Sequence, residues 1–319
     1  MTFSRLKSPQ LRFALKVLAS LSLLGFVLYN TDVTSAITAI GSVVWWYWPT
    51  AIGLSFLAQI ISAKRWHVLS DHVSFTVLLR QTFISNVYAF VIPSALAADA
   101  AKVISVPKST DGWIGATARV VVDKIVGIVV IAALTMPALY MSTNIDLGPL
   151  RSTLAYVSIS FIGLFGLSLI PLFRREMFRI LHSARLQVRV LRRVSDWLDR
   201  VSSNVKMVNF SVAALSTNFA LALAFQGLIL LQLNLAAVNV GISISIWNLV
   251  LLSSLIQLSF FIPLGVAGVG VKDVAQVSFL VMLGASKQQA VEMVMLGYPL
   301  VLTLVVIGYL SLNTTKHQV

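Results

Sequence analysis

Two lysines stand at the same distance from a proline in a chain that carries little charge elsewhere. The first run reads Phe90, Val91, Ile92, Pro93, then the small residues Ala95, Ala97 and Ala98, then Lys102. The second reads Phe260, Phe261, Ile262, Pro263, then Gly265, Ala267, Gly268 and Gly270, then Lys272. Each lysine has a carboxylate close by, Asp99 before the first and Asp273 after the second. Proline removes a backbone donor and collides with the preceding turn, so a helix must stop or kink there. The helix that restarts offers free amides and the positive end of its dipole, and a lysine one or two turns in adds a full charge. Such a pair of sites suits an anionic oxygen of phosphate or carboxylate, with Asn86 as a further polar lining residue.

Other charges stand inside apolar stretches, where an unpaired one costs about 2.5 to 3.5 kcal/mol even on the lenient insertion scale. Asp99 and Lys102, three residues apart, and Arg119 and Asp123, four apart, can each meet on one helix face. They are then either structural pairs near span ends, with lysine and arginine reaching toward water, or functional groups. Lys124 belongs with them. Glu292 is either held by its own helix dipole or available as a proton-coupling carboxylate.

These residues must be positioned in a bilayer. Of 319 residues 58% are hydrophobic and 11% charged, against about a quarter charged in a soluble domain. A spanning helix needs about 20 mostly apolar residues, and six segments meet this, near 11–29, 43–62, 117–140, 152–173, 211–233 and 289–311. Two further apolar stretches, 75–106 and 245–284, are broken at their proline. The expected fold is all-α: one polytopic membrane domain over 1–319, with about six transmembrane helices and two re-entrant hairpins. The broken-helix repeats cover about 75–140 and 245–311. Irregular backbone at membrane depth must be buried in protein or line a watery cavity, so a cavity between the two breaks is expected. If the hairpins enter from opposite sides, the repeats are inverted, as in many secondary transporters. A full span over 245–263 is the alternative, and it gives seven spans.

Basic residues set orientation. The start carries Arg5, Lys7, Arg12 and Lys16, the 30–42 loop has Asp32 and no base, and the second span returns to Lys64 and Arg65. The N-terminus is therefore expected in the cytoplasm of a cell with an inner membrane, with Trp45, Trp46, Tyr47 and Trp48 as an outer-interface anchor. The loop 174–209 holds Arg189, Arg192, Arg193 and Arg200 beside an apolar helical stripe, and reads as a cytoplasmic amphipathic helix. Its partner is either anionic phospholipid or water alone. The +13 net charge thus belongs to topology and headgroups, and no nucleic-acid partner is expected.

At these residues the chain resembles the flippase-like membrane domain of lysylphosphatidylglycerol synthases, a family with free-standing members linked to hopanoid and glycolipid pathways. The matching pieces are Lys64, Arg65 and Trp66 ending the second span; Asn86, Pro93, Asp99 and Lys102; and Pro263 followed by Gly268, Gly270, Val271, Lys272 and Asp273. The last is similar to a Gly-Gly-x-Gly-x-Arg-Glu signature. Ala97 stands where the family has Gly, Lys102 and Lys272 where it has Arg, and Asp123 with Lys124 where it has Glu-Arg. Lysine replaces a planar bidentate fork by a point charge, so phosphate geometry is read less strictly. The resemblance implies lipid translocation. No stretch of this chain could form the soluble aminoacyl-transferring domain of larger relatives, so lysyl-lipid synthesis is not expected.

Enzymatic chemistry lacks its usual signatures. There is no Cys, and His67, His72, His182 and His317 lack metal-ligand spacing. Gly268-Val269-Gly270 lacks the strand and full fingerprint of a dinucleotide site. The expectation is a flippase-like transporter of an anionic lipid or lipid-linked headgroup, without cofactor or metal. The alternative is a membrane enzyme or accessory protein of lipid-linked sugar metabolism.

Overall fold

The computed structural model describes residues 41, 43–70, 72–91, 97–105, 112–142, 147–169, 211–259 and 271–313, and these are helical with short turns. Among the described residues ten helices follow in order: α1 (Tyr47–Leu69), α2 (Phe75–Val91), α3 (Ala97–Ser105), α4 (Gly112–Met141), α5 (Pro149–Leu169), α6 (Val212–Asn239), α7 (Ile246–Ser259), α8 (Val271–Met282), α9 (Lys287–Met295) and α10 (Gly297–Asn313). The expected span 11–29, the basic loop 174–209 and the two breaks with Pro93, Pro263, Gly268 and Gly270 lie outside the described residues.

The helix ends have local causes. Gly241 and Gly284 take positive φ of 74° and 90°, a conformation open to glycine because it lacks Cβ. Beyond each, an amide reaches back to the helix, Ile242 to the Ala237 carbonyl at 2.8 Å and Ala285 to that of Leu280 at 3.1 Å, the capping bond that follows a left-handed residue. Ser286 and Gln289 then form a reciprocal capping box that starts α9. The Gln289 side chain also donates to the Val240 carbonyl at 3.1 Å, which ties α9 to the end of α6. The expected span at 289–311 lies within one helical stretch, Lys287–Leu312, in which a local turn at Leu296 separates α9 from α10. Pro299 explains the division, since its ring collides with the carbonyl four residues earlier, and α9 ends at that residue, Met295.

Three helical stretches, Gly115–Met141, Val212–Asn239 and Lys287–Leu312, are long and apolar enough to cross a membrane. α1 and α5, of 23 and 21 residues, also match a core of about 30 Å at about 1.5 Å per residue. The two proline-broken segments behave differently. The limbs α2 and α3 pack along each other, as do α7 and α8, so each segment doubles back as a hairpin. The 14 described residues of α7 reach about 21 Å.

The 170-residue offset from Pro93 to Pro263 relates the halves. It carries α1 onto α6, α2 onto α7, α3 onto α8, and α4 onto α9 with α10. Contacts follow the same exchange: α2 lies on α10 as α7 lies on α4, α1 meets α2 as α6 meets α7, and α1 packs on α6 itself. Direction comes from two hydrogen bonds. Asn218 near the start of α6 donates to the carbonyl of Arg65 near the end of α1 at 3.0 Å, while Gln232 donates to Ser55 at 2.8 Å. Position rises along α6 as it falls along α1, so the two run antiparallel and the repeat is inverted.

The largest apolar core joins both halves, with Tyr47, Leu139, Leu154, Leu251, Phe279 and Leu296 buried together. This corrects the aromatic cluster. Trp45 is 80% exposed and suits an interfacial anchor, but Tyr47 is 1% exposed and belongs to the core.

Candidate functional site

The charged groups gather where the end of α1, α3, the first half of α4 and the start of α6 converge. Arg65 ends α1 with 9% of its side chain exposed. One of its terminal nitrogens lies 2.9 Å from Asp123 Oδ1 and also donates to the Asp123 backbone carbonyl at 2.8 Å. Asn218, fully buried, donates to the same carboxylate oxygen at 3.0 Å and to the Arg65 carbonyl at 3.0 Å. One buried charge pair thus ties three helices. Gly127 makes room for it, because a Cβ there would lie 3.3 Å from the guanidinium. The Phe225 ring lies 5.8 Å from the same cation.

A second pair links α3 to α4: Lys124 Nζ donates to Asp99 Oδ2 at 2.7 Å. Both pairings differ from the expectation drawn from spacing. Asp99 meets Lys124 rather than Lys102, and Asp123 meets Arg65 rather than Arg119. Arg119 instead lies 3.4 Å from His72. Spacing along one helix shows only which residues share a face, and here stronger partners arrive from other helices.

Lys102 makes no ion pair among the described residues, and its ammonium lies 5.7 Å from the Trp66 ring. Its counterpart Lys272 differs. Lys272 lies 3.3 Å from Asp273 and 5.8 Å from the Tyr298 ring, while Tyr298 donates to Asp273 Oδ2 at 3.0 Å. Asp273, 3% exposed in its side chain, joins the second limb of hairpin two to the following span, as Asp99 does in hairpin one.

The same four residues take definite places in α3 and α8. Asp99 and Asp273 both occupy the first helical turn, where a negative charge already compensates the helix dipole. Lys102 stands in the last turn of α3, whereas Lys272 is the second residue of α8.

Two amide pairs were not legible beforehand. Asn86 donates to Gln59 of α1 at 3.3 Å. At the corresponding level of hairpin two, Gln257 donates to Gln226 of α6 at 3.0 Å, and Gln226 donates to Ser253 at 2.6 Å. The signal in the sequence was polar side chains within the apolar span 211–233, where Asn218, Gln226 and Gln232 stand. Glu292 accepts from Gln288 at 3.0 Å on an exposed stretch of α9. No group of three or more His, Cys, Asp and Glu residues suited to a metal ion occurs among the described residues.

A family model described as lysylphosphatidylglycerol synthase TM region matches residues 13–308. The chain belongs to this family. As a lysylphosphatidylglycerol synthase TM region protein it is a multi-pass membrane protein, of a family named for the membrane part of a lipid-modifying synthase, and the match takes in both inverted repeats. No curated protein and no solved structure matches it significantly.

Proposed function

We propose that this protein is a flippase-like, non-catalytic transporter that moves an anionic lipid or lipid-linked headgroup across the inner membrane. The observation that carries the reading is the inverted pair of proline-broken hairpins, which is the way many secondary transporters build a site open to either side in turn. Family membership supports a lipid as the cargo. Lys102 is the residue assigned to the headgroup anion, because Asp99 is paired with Lys124 and no carboxylate among the described residues lies within ion-pair distance of the Lys102 ammonium. Lys272, already beside Asp273, is assigned to the opposite side of the cycle.

A charge-assisted hydrogen bond is worth about 1.5 to 3 kcal/mol, so Lys102→Ala should slow translocation in reconstituted vesicles by about tenfold to a hundredfold. Lys102→Glu should be worse, since a carboxylate repels the anion. The double variant Asp99→Asn, Lys124→Gln should lower stability modestly and keep Lys102 working. Full transport by Lys102→Ala would reject its role.

The proposed orientation places the N-terminus and residues 174–209 in the cytoplasm, where the basic loop meets anionic phospholipid. In this cysteine-free chain a cysteine at exposed Ser243, just after α6, should react with an impermeant thiol reagent from outside. A cysteine at Lys64 should react only after permeabilisation. The reverse pattern would overturn the orientation.

A further inference from the structure

Between α4, α5 and α7 lies a half-open groove with a cavity volume of about 30 Å3, and about 370 Å3 when the space on its open side is included. Its wall is mostly aliphatic with Phe161, and its polar side chains are Thr135, Ser158, Ser254 and Gln257. None of the lining residues is charged, so a phosphate would meet no counter-charge there.

Three of the polar side chains are engaged with the protein. Thr135 and Ser254 share a hydrogen bond of 2.6 Å between α4 and α7, and Gln257 donates to Gln226 and Ser253. Ser158 is the exception. It is 4% exposed yet makes no hydrogen bond among the described residues, whereas Ser152, Thr153 and Ser160 of the same helix donate to their own helix carbonyls. The Ser158 hydroxyl lines the cleft with no protein partner among the described residues, so it is open to an uncharged acceptor there.

The repeat shows that this cleft is a departure from symmetry. At the 170-residue offset, Ser253 and Gln257 stand where the first half has Phe83 and Val87, and Ala138 stands where the second has Gly308. The α2–α10 contact is sealed, because even a Cβ on Gly308 would run into the Phe83 carbonyl and Val87. The equivalent α7–α4 contact carries polar groups instead, and α5, which has no counterpart among the described helices, flanks it. Ser158 is the tenth of the 21 described residues of α5, about 14 Å from the first and about 17 Å from the last. Bulk lipid keeps its ester at the edge of the hydrocarbon core, about 15 Å from the midplane.

We propose that the cleft binds one acyl chain of a glycerolipid drawn into the protein, with the Ser158 hydroxyl donating to the ester carbonyl oxygen. The aliphatic wall takes the chain, and the ester is the neutral acceptor that lies next to it. A polyprenyl phosphate has no carbonyl there and offers Ser158 nothing. This inference rests on the transport reading for its statement that the lipid is drawn to mid-depth, and it names the part of the cargo that Lys102 does not touch.

The test uses the full chain in dodecyl maltoside with phosphatidylglycerol bearing a diazirine on one acyl chain, and adducts mapped by mass spectrometry. Labelling around Ser158, Phe161 and Gln257 should saturate and be displaced by unlabelled phosphatidylglycerol but not by undecaprenyl phosphate. Labelling at outward-facing Ile159 and Ile162 should rise without saturation. Ser158→Ala, a small change that spares the fold, should weaken the saturable component by up to about tenfold, and Ser158→Leu should fill the cleft and abolish it. Cleft adducts that do not saturate, that survive Ser158→Leu, or that yield equally to undecaprenyl phosphate would overturn the proposal. Because labelling is read without transport, loss of translocation in Lys102→Ala with cleft labelling intact supports two separate subsites. Saturable labelling by a chain that moves no lipid would instead sink the transport reading and leave the chain site standing.

Discussion

Arg65→Ala should be the most damaging single side-chain truncation among the charged groups, with a stability loss of about 3 to 5 kcal/mol. The guanidinium is always charged, and its removal strands Asp123 among α1, α4 and α6 and takes away the cation that holds its carboxylate and backbone carbonyl. Asn218 alone cannot neutralise that charge. Taking out both charges leaves none to strand, so Arg65→Met with Asp123→Leu should recover most of the loss. Thermal unfolding in detergent, followed by loss of monodispersity, measures both. An Arg65→Ala protein that melts with the parent would show that this pair ties nothing together. The double variant separates stability from function: restored folding with lost transport would place the pair in the transport cycle as well.

Gly308→Val should be comparably severe for a different reason. A Cβ on Gly308 already overlaps the Phe83 carbonyl and presses on Val87, and backbone cannot swing aside as a side-chain tip can. α2 and α10 must separate, which costs about 1 to 3 kcal/mol or more for overpacking and moves the first limb of hairpin one. Gly308→Ala should show the same effect at smaller size. Gly163→Ala is the control, because nothing lies within 4 Å of its added Cβ. There the change should stabilise by about 0.5 to 1 kcal/mol through helix propensity. Equal melting of the two alanine variants would contradict the close α2–α10 approach.

Much of the architecture was legible in residue order. Runs of about 20 apolar residues have one stable solution in hydrocarbon, because each backbone polar group must be paired within the segment, and this located α4, α5, α6 and the α9–α10 span. The Ile-Pro breaks marked both hairpins, since proline acts on its own helix through a local clash. Pro299 acts by the same rule inside the last span, where α9 gives way to α10 after Met295. The repeat itself could be read from the shared proline-to-lysine spacing.

Partners across helices were decided by the tertiary structure. Asp99 and Lys102 share a helix, as do Arg119 and Asp123, and spacing alone pairs them. In the fold, Lys124 reaches Asp99 from α4 and Arg65 reaches Asp123 from α1, because helix packing brings partners from distant parts of the chain within ion-pair distance. The inequality of Lys102 and Lys272 has the same origin. Sequence gives each an aspartate, but only packing determines that Asp99 turns to Lys124 while Asp273 stays beside Lys272 and Tyr298. The antiparallel course of α1 and α6, the sealed Gly308 contact and the cleft beside Ser158 depend on residues brought together from distant parts of the chain, a relation that hydropathy and local spacing do not encode.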